Sequence, residues 1–272
     1  KLTFVTGDKV VFNNDAAVKS VTLSGELEAD SVIVDNTSAY TFSGDGTLMG
    51  NTTLVKRGTG TLTVNTDNTY TGGTRISGGA VIVKSMANAN QTKGNLGSMV
   101  TNANLLVIEN GAELRTTAAI TNGSAIKMES EQGGVINNSA GFIVDRAMSG
   151  TTLTKKGSGW MKLNVSNTSL DRLAIAAGTV QCINANTPAK TVEYQGGTLR
   201  ENTGSSYAVN VPKNKTGFWY VMTLLPAMFM TTVCSSFILM LEKGGLGLDY
   251  TVSIVIGVVL ACVCAGLAMK KK

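Results

Sequence analysis

Histidine is absent from the 272 residues, which removes the commonest acid-base catalyst and metal ligand at neutral pH. Of the four cysteines only Cys182 lies before residue 216, so neither a disulfide framework nor a CxxC metal knuckle can form there. A long stretch almost free of cysteine suits export through an oxidising compartment. Charge is scarce as well. The formal net charge is +5, and residues 1–215 hold 19 Lys/Arg against 16 Asp/Glu, a surplus too small for a nucleic-acid-binding surface. No long segment before residue 216 carries a helical period. The chain opens KLTF with no charged-then-apolar leader, and is expected to be a fragment or a processed chain.

What is present is glycine, 31 residues of it, set between short apolar runs. SVTLSGEL, DSVIVDN, GTLTVN, GAVIVKS, NLLVIEN, AGFIVDR and GTVQCIN each alternate or cluster β-branched residues and end at Gly, Asn, Asp, Ser or Thr. Such runs favour a pleated surface, and Gly and Asn allow the positive φ of tight corners. Short strands without a chain of NG hairpins leave a sandwich or barrel, or a solenoid of parallel coils. An internal repeat favours the solenoid. Leu54, Lys56, Gly58, Gly60, Asn65, Asn68, Thr69, Ile76, Gly79 and Val81 recur as Leu153, Lys155, Gly157, Gly159, Asn164, Asn167, Thr168, Ile175, Gly178 and Val180. A shorter echo matches VIENGAELR (Val107 to Arg115) with VEYQGGTLR (Val192 to Arg200).

The first copy, LVKRGTGTLTVNTDNTYTGGTRISGGAVIV, resembles the passenger-associated strand repeat of bacterial autotransporter-type surface proteins. The repeat positions are Lys56, Gly58, Gly60, Asn68, Tyr70, Gly72, Gly73, Ile76 and Gly79, and in the second copy Lys155, Gly157, Gly159 and Gly178. The second copy replaces YTGGT with SLDRL. The resemblance implies a right-handed parallel β-helix over residues 1–215. In such a coil Leu54, Leu62, Val64, Ile76, Val81 and Val83 alternate inward, and Gly58, Gly60, Gly72, Gly73 and Gly79 mark corners. A competing reading of Gly72-Gly73 as an anion-binding nest lacks the Lys-Ser/Thr and the following helix of a phosphate loop.

The acids do not make an obvious active site. Glu26/Glu28 and Glu129/Glu131, two residues apart, are candidate carboxylate pairs for glycan cleavage. The simpler reading is a solvated face that discourages edge pairing. Asp145-Arg146 and Asp171-Arg172 read as surface ion pairs, and Asn-x-Ser/Thr sequons such as Asn36-Thr37-Ser38 arise by chance in a chain this rich in Asn and Thr. No catalytic, cofactor or metal residue is assigned.

Composition changes after residue 215. Phe218 to Leu241 and Tyr250 to Met269 are uncharged runs long enough to cross a bilayer as a two-helix hairpin, with Trp219, Tyr220 and Tyr250 as interfacial anchors and Pro226 as a kink. Lysines at both outer ends place those ends in the cytoplasm. TLLPAMFMTTVCSSFILMLEKGGLGL resembles the C-terminal membrane segments of the carbon starvation protein A family, which implies an inner-membrane setting for 216–272. A surface β-helix conflicts with that setting. The chain is therefore expected to be an artificial join of two unrelated pieces near Thr216, against a genuine two-part protein, and a continuous genomic read across Lys215 to Tyr220 decides between them.

Three functional readings follow. The first is a non-enzymatic, exported cell-surface module for adhesion or display, with a glycan or a host surface protein as partner and no nucleic acid. The second is a fragment of an inner-membrane transporter for peptides or pyruvate, held in the membrane through 218–269. The third is a carbohydrate-active β-helix enzyme.

Overall fold

Along each short run, alternation turns apolar side chains to one face and small polar ones to the other, so each run forms one side of a coil. The computed structural model describes residues 5–88, 91–98, 105–183, 186–202 and 206–210, and these form an all-β parallel solenoid of about nine coils. The expected membrane hairpin, with spans 218–241 and 250–269, lies outside the described residues. Among the described residues no helix is long and apolar enough to cross a membrane.

The strands stack into three faces. Lys9–Phe12, Ser31–Asp35, Thr53–Arg57, Thr74–Ile76, Leu105–Glu109 and Ala125–Glu129 build the first. Ser20–Leu23, Tyr40–Gly44, Thr61–Val64, Ala80–Val83, Glu113–Thr116 and Gly134–Asn138 build the second. Ile120–Asn122, Phe142–Val144, Trp160–Leu163, Thr179–Ile183 and Thr198–Asn202 form the third. Successive coils pair in parallel at offsets of 19 to 22 residues, as in Lys9 with Ser31 and Trp160 with Thr179. One coil is longer: Thr74 pairs with Leu106, and residues 84–88 and 91–98 fold back over the side of the stack. Ser206–Asn210 returns antiparallel on Thr198–Asn202 and ends the third ladder.

The six residues expected to point inward, Leu54, Leu62, Val64, Ile76, Val81 and Val83, are all buried. They belong to one apolar column that runs on through Leu106, Ile108, Leu114, Ile126, Ile136, Phe142, Leu153 and Leu163. At its N-terminal end Phe12 packs edge-on against Phe42, with ring centroids 5.1 Å apart.

The repeat does not return the chain to the same faces. Thr53–Arg57 and Thr61–Val64 of the first copy lie on faces one and two. Their counterparts, Leu153 to Lys156 and Trp160–Leu163, lie on faces two and three. The shorter echo shifts in the same sense, from Leu105–Glu109 and Glu113–Thr116 to Thr191–Tyr194 and Thr198–Asn202. The cause is local. In the first copy Gly73 turns the chain at φ +91° before Thr74–Ile76. In the second, Asp171 and Arg172 replace the glycine pair, and Ser169–Ile175 repeats the straight crossing of two faces one coil after Ser149–Lys156.

Corners are crowded as well as turned. Gly58 sits at φ +67°, and a Cβ there would collide with the Asn36 carbonyl of the coil below. Gly111 sits at φ +70° with open space where a Cβ would lie. Gly111→Ala is therefore expected to cost only the left-handed strain, about 1–2 kcal/mol. Gly58→Ala should add about 1–3 kcal/mol of overpacking against backbone that cannot yield. Denaturant midpoints of the two variants read the difference, and equal losses would show that stacking imposes no constraint there.

Candidate functional site

The repeat positions converge on the corners. Lys56 and Lys155 are lysines with no exposed surface, each pointing into the corner that follows its own strand. Lys56 Nζ donates to the carbonyls of Arg57 and of Gly58, the latter at 3.2 Å. Lys155 Nζ donates to the carbonyls of Lys156 at 2.6 Å, Gly157 at 3.0 Å and Ala177 at 3.3 Å. Gly58 and Gly157 are thus held twice, by positive φ and by an ammonium on the carbonyl. The coil below supplies a carboxamide at the same place in both copies. Asn36 Nδ2 donates to the carbonyls of Ser38 and of Thr61, the latter at 3.2 Å, and Asn138 Nδ2 to those of Ala140 at 2.6 Å and Trp160 at 2.9 Å. Burial pushes Lys56 down to about 8, with Asp35 pulling the other way, and pushes Lys155 down to about 8.

Asn68 and its counterpart Asn167 are both buried and serve one purpose. Asn68 Oδ1 accepts from the Leu48 N–H at 3.0 Å, and Asn167 Oδ1 from the Met148 N–H at 2.7 Å. Tyr70 is buried with its hydroxyl 2.6 Å from Thr74 Oγ1. Ile76 lies in the core, Gly72 packs over the Asn51 and Thr52 backbone, and Gly79 and Gly178 sit over the Gly60 and Gly159 carbonyls. Gly159, like Gly60, has no room for a Cβ. The thirteen repeat residues therefore shape corners, fill the core or pack against the neighbouring coil.

Chemistry directed at a ligand belongs to the outside. On the first face Arg75 bridges Glu109 at 2.9 Å and Glu129 at 2.7 Å, and Lys127 joins Glu129 at 2.9 Å. Hydrogen bonds from Lys127 and Arg75 hold the Glu129 carboxyl below its usual range. Glu129 ends its strand and Glu131 lies in the following turn, while Glu26 is in a two-residue strand that excludes Glu28. Neither expected carboxylate pair shares a strand face. On the second face the first three coils present hydroxyls in register, Ser20 with Thr41 and Thr41 with Thr63, and Thr22 with Ser43.

Beside these hydroxyls runs a groove of about 470 Å³, lined by Gly44 to Thr47, Asn65, Asp67, Thr69, Lys84 and Lys93. Two successive coils each give it an Asp-x-Thr, Asp45 with Thr47 and Asp67 with Thr69. Lys84 and Lys93 come from the fold-back of the long coil, which is pinned by Asn95: its Oδ1 accepts from Lys84 N and Ser85 N at 2.9 Å, and its Nδ2 donates to Thr66 O at 2.9 Å. Lys93 lies 3.8 Å from Asp67. Sequence reading did not find this groove. Its signals were the repeated Asp-x-Thr and the break in coil length after Val83. Among the described residues no cluster of three or more metal-ligating side chains occurs.

With the geometry in place, the family comparison is specific. Residues 54–83 match the passenger-associated-transport-repeat family. The match starts at Leu54 and ends at Val83, the stretch that holds the Lys56–Gly58–Gly60 corner, Asn68 and the Gly72-Gly73 turn. The passenger-associated repeat and the parallel solenoid together fit a surface-exposed autotransporter passenger module. Comparison with curated proteins and with solved structures returns no match. The resemblance of 216–272 to carbon starvation protein A rests on sequence alone and lies outside the described residues.

The buried lysines give the passenger repeat a pH signature. Between about 8 in the folded protein and the ordinary 10.5 in the unfolded chain, the unfolded state binds protons that the folded state does not. Stability contributed by these groups therefore rises with pH through that window, by about 1–3 kcal/mol per lysine. Tyr70, raised by burial, acts in the opposite sense above its ordinary 10.0, so the comparison is best made from pH 7.5 to about 9.5. Urea midpoints of the native protein should climb across that range, and those of Lys56→Met/Lys155→Met should stay flat. Parallel climbs in both proteins would remove the lysines as the cause.

Proposed function

We propose that the chain is a non-enzymatic, exported module displayed on the bacterial surface, whose coils wind right-handed and hold an outer face out for adhesion to a glycan or a host surface protein. The observation that carries the reading is the passenger-associated repeat at 54–83 built into the corners and core of a parallel solenoid. The outer face supports it. Glu109, Glu113 and Glu129 are tied to Arg75, Arg115 and Lys127, an arrangement that keeps a sheet face soluble and resistant to edge pairing more readily than it poises a free acid for catalysis. Contacts from such a face are polar and shallow, and many copies on one cell raise weak contacts to useful avidity.

Labelling intact cells that express the full chain with a membrane-impermeant amine reagent tests the proposal. Lys93 and Lys190, with side chains 64% and 60% exposed, should be modified before lysis, and buried Lys56 and Lys155 should not. Modification of Lys93 and Lys190 only after lysis would overturn surface display.

A further inference from the structure

The charged side chains around the groove, Asp45, Asp67, Lys84 and Lys93, are exposed and take no part in the repeat corners, and their chemistry is specific enough to name a ligand class. We propose that the groove is a binding site for a neutral, unbranched oligosaccharide laid along the stacking direction. This deepens the surface-module reading and rests on it.

Three features lead there. The first is repetition. Neighbouring coils give the groove the same Asp-x-Thr, and the register that pairs Phe42 with Val64 carries Asp45 toward Asp67 on the next coil. Parallel strands stack about 4.8 Å apart. A lining that repeats on that scale matches a ligand that repeats on that scale, and extended sugar chains do.

The second feature is the balance of charge. Two carboxylates face two ammoniums, so the groove has no net field with which to select a polyanion or a polycation. Among the described residues Asp45 and Lys84 form no ion pair, while Asp67 and Lys93 sit 3.8 Å apart with both side chains more than half exposed. A carboxylate accepts two hydrogen bonds from neighbouring hydroxyls of a sugar ring, and an ammonium donates to ring and hydroxyl oxygens. Thr47, Thr69 and Asn65 supply neutral partners of both kinds between them.

The third is what the walls are made of. Among the described residues the lining contains no aromatic or large aliphatic side chain, which disfavours a lipid or an apolar peptide anchor. Gly44 and Gly46 leave one wall as bare backbone, since a Cβ on either would run into Leu23 or Ser24 of the coil below. The hydroxyl rows of Ser20, Thr41 and Thr63 and of Thr22 and Ser43 extend the polar surface from the groove along the second face. Without an aromatic platform each contact is weak, with a dissociation constant near 1 mM (about −4 kcal/mol) for a short oligomer and useful strength only through many copies.

The test uses the full chain in a polyoxyethylene detergent, which carries no sugar. Saturation-transfer NMR and calorimetry are run with cellohexaose, maltohexaose and xylohexaose, with hexagalacturonate as the acidic probe and the chitosan hexamer as the basic one. At least one neutral hexamer should bind, more tightly than its dimer. Asp45→Asn and Lys84→Met should each weaken it by about tenfold. All four charged residues are exposed, so unchanged circular dichroism will verify folding of the variants. Binding of only the charged oligomers, binding of none, or binding of a neutral hexamer that ignores both substitutions would overturn the proposal. Surface labelling of Lys93 and Lys190 is independent of these results, so the groove can fail while surface display stands, and a chain absent from the surface can still show the groove binding sugar.

Discussion

Every coil of this protein has to pass its backbone hydrogen-bonding groups to the next coil at strand spacing, and that closeness is greatest where the chain turns. At the Lys56–Gly60 and Lys155–Gly159 corners the backbones approach so nearly that a single added Cβ would meet a carbonyl of the coil below. Glycine settles the sterics but leaves carbonyls facing inward, away from water. An unmade hydrogen bond there costs about 1–3 kcal/mol per group. The lysine of the repeat answers that cost by carrying an ammonium to those carbonyls, and the asparagine one coil below answers it for the next set. A buried charge is itself unfavourable, and the lowered proton affinity of both lysines, which Asp35 offsets only in part at Lys56, is the sign of that compromise.

A corner built this way is self-contained, which explains how the same sequence works on different faces. Its partners are its own following residues and the coils immediately beneath and above. Nothing in it depends on whether the turn joins faces one and two or faces two and three. Where Ser149–Lys156, and Ser169–Ile175 one coil later, run as single strands across two faces, the corners of the second copy lie one face further round and keep their internal bonds. Local modules with nearest-neighbour contacts are what allow a solenoid to tolerate such a slip.

Much of this was legible in the residues, for a physical reason. Period-two alternation put Leu54, Leu62, Val64, Ile76, Val81 and Val83 inside because a strand has only two sides, and spaced glycines announced corners because other residues avoid positive φ. The role of Lys56 was visible only as a recurring position: a lysine in a strand ordinarily reads as solvated, and its burial depends on the carbonyls the turn aims at it. The change of face was hidden as well, since an offset of 99 residues records similarity and not the angle through which the chain has wound. The groove depended on the fold-back of residues 84–88 and 91–98, whose return to the stack is fixed by Asn95 and by the Asn68–Gly94 pairing, contacts that no local pattern encodes. Of the candidate acids, Glu129 proved to be an ion-pair partner, because Arg75, two coils away, reaches it.

The central claim is the coil-to-coil register, since corners, core and groove all follow from it. Thr41 and Thr63 are registered outward-facing partners on adjacent coils, close enough for an introduced disulfide. Thr41→Cys/Thr63→Cys, mildly oxidised and mapped by peptide mass spectrometry, should yield the 41–63 crosslink in high yield, and Thr41→Cys/Thr61→Cys should not. A crosslink at 41–61 with none at 41–63 would mean that the coils stack in another register, and the corners, core and groove would all have to be reassigned.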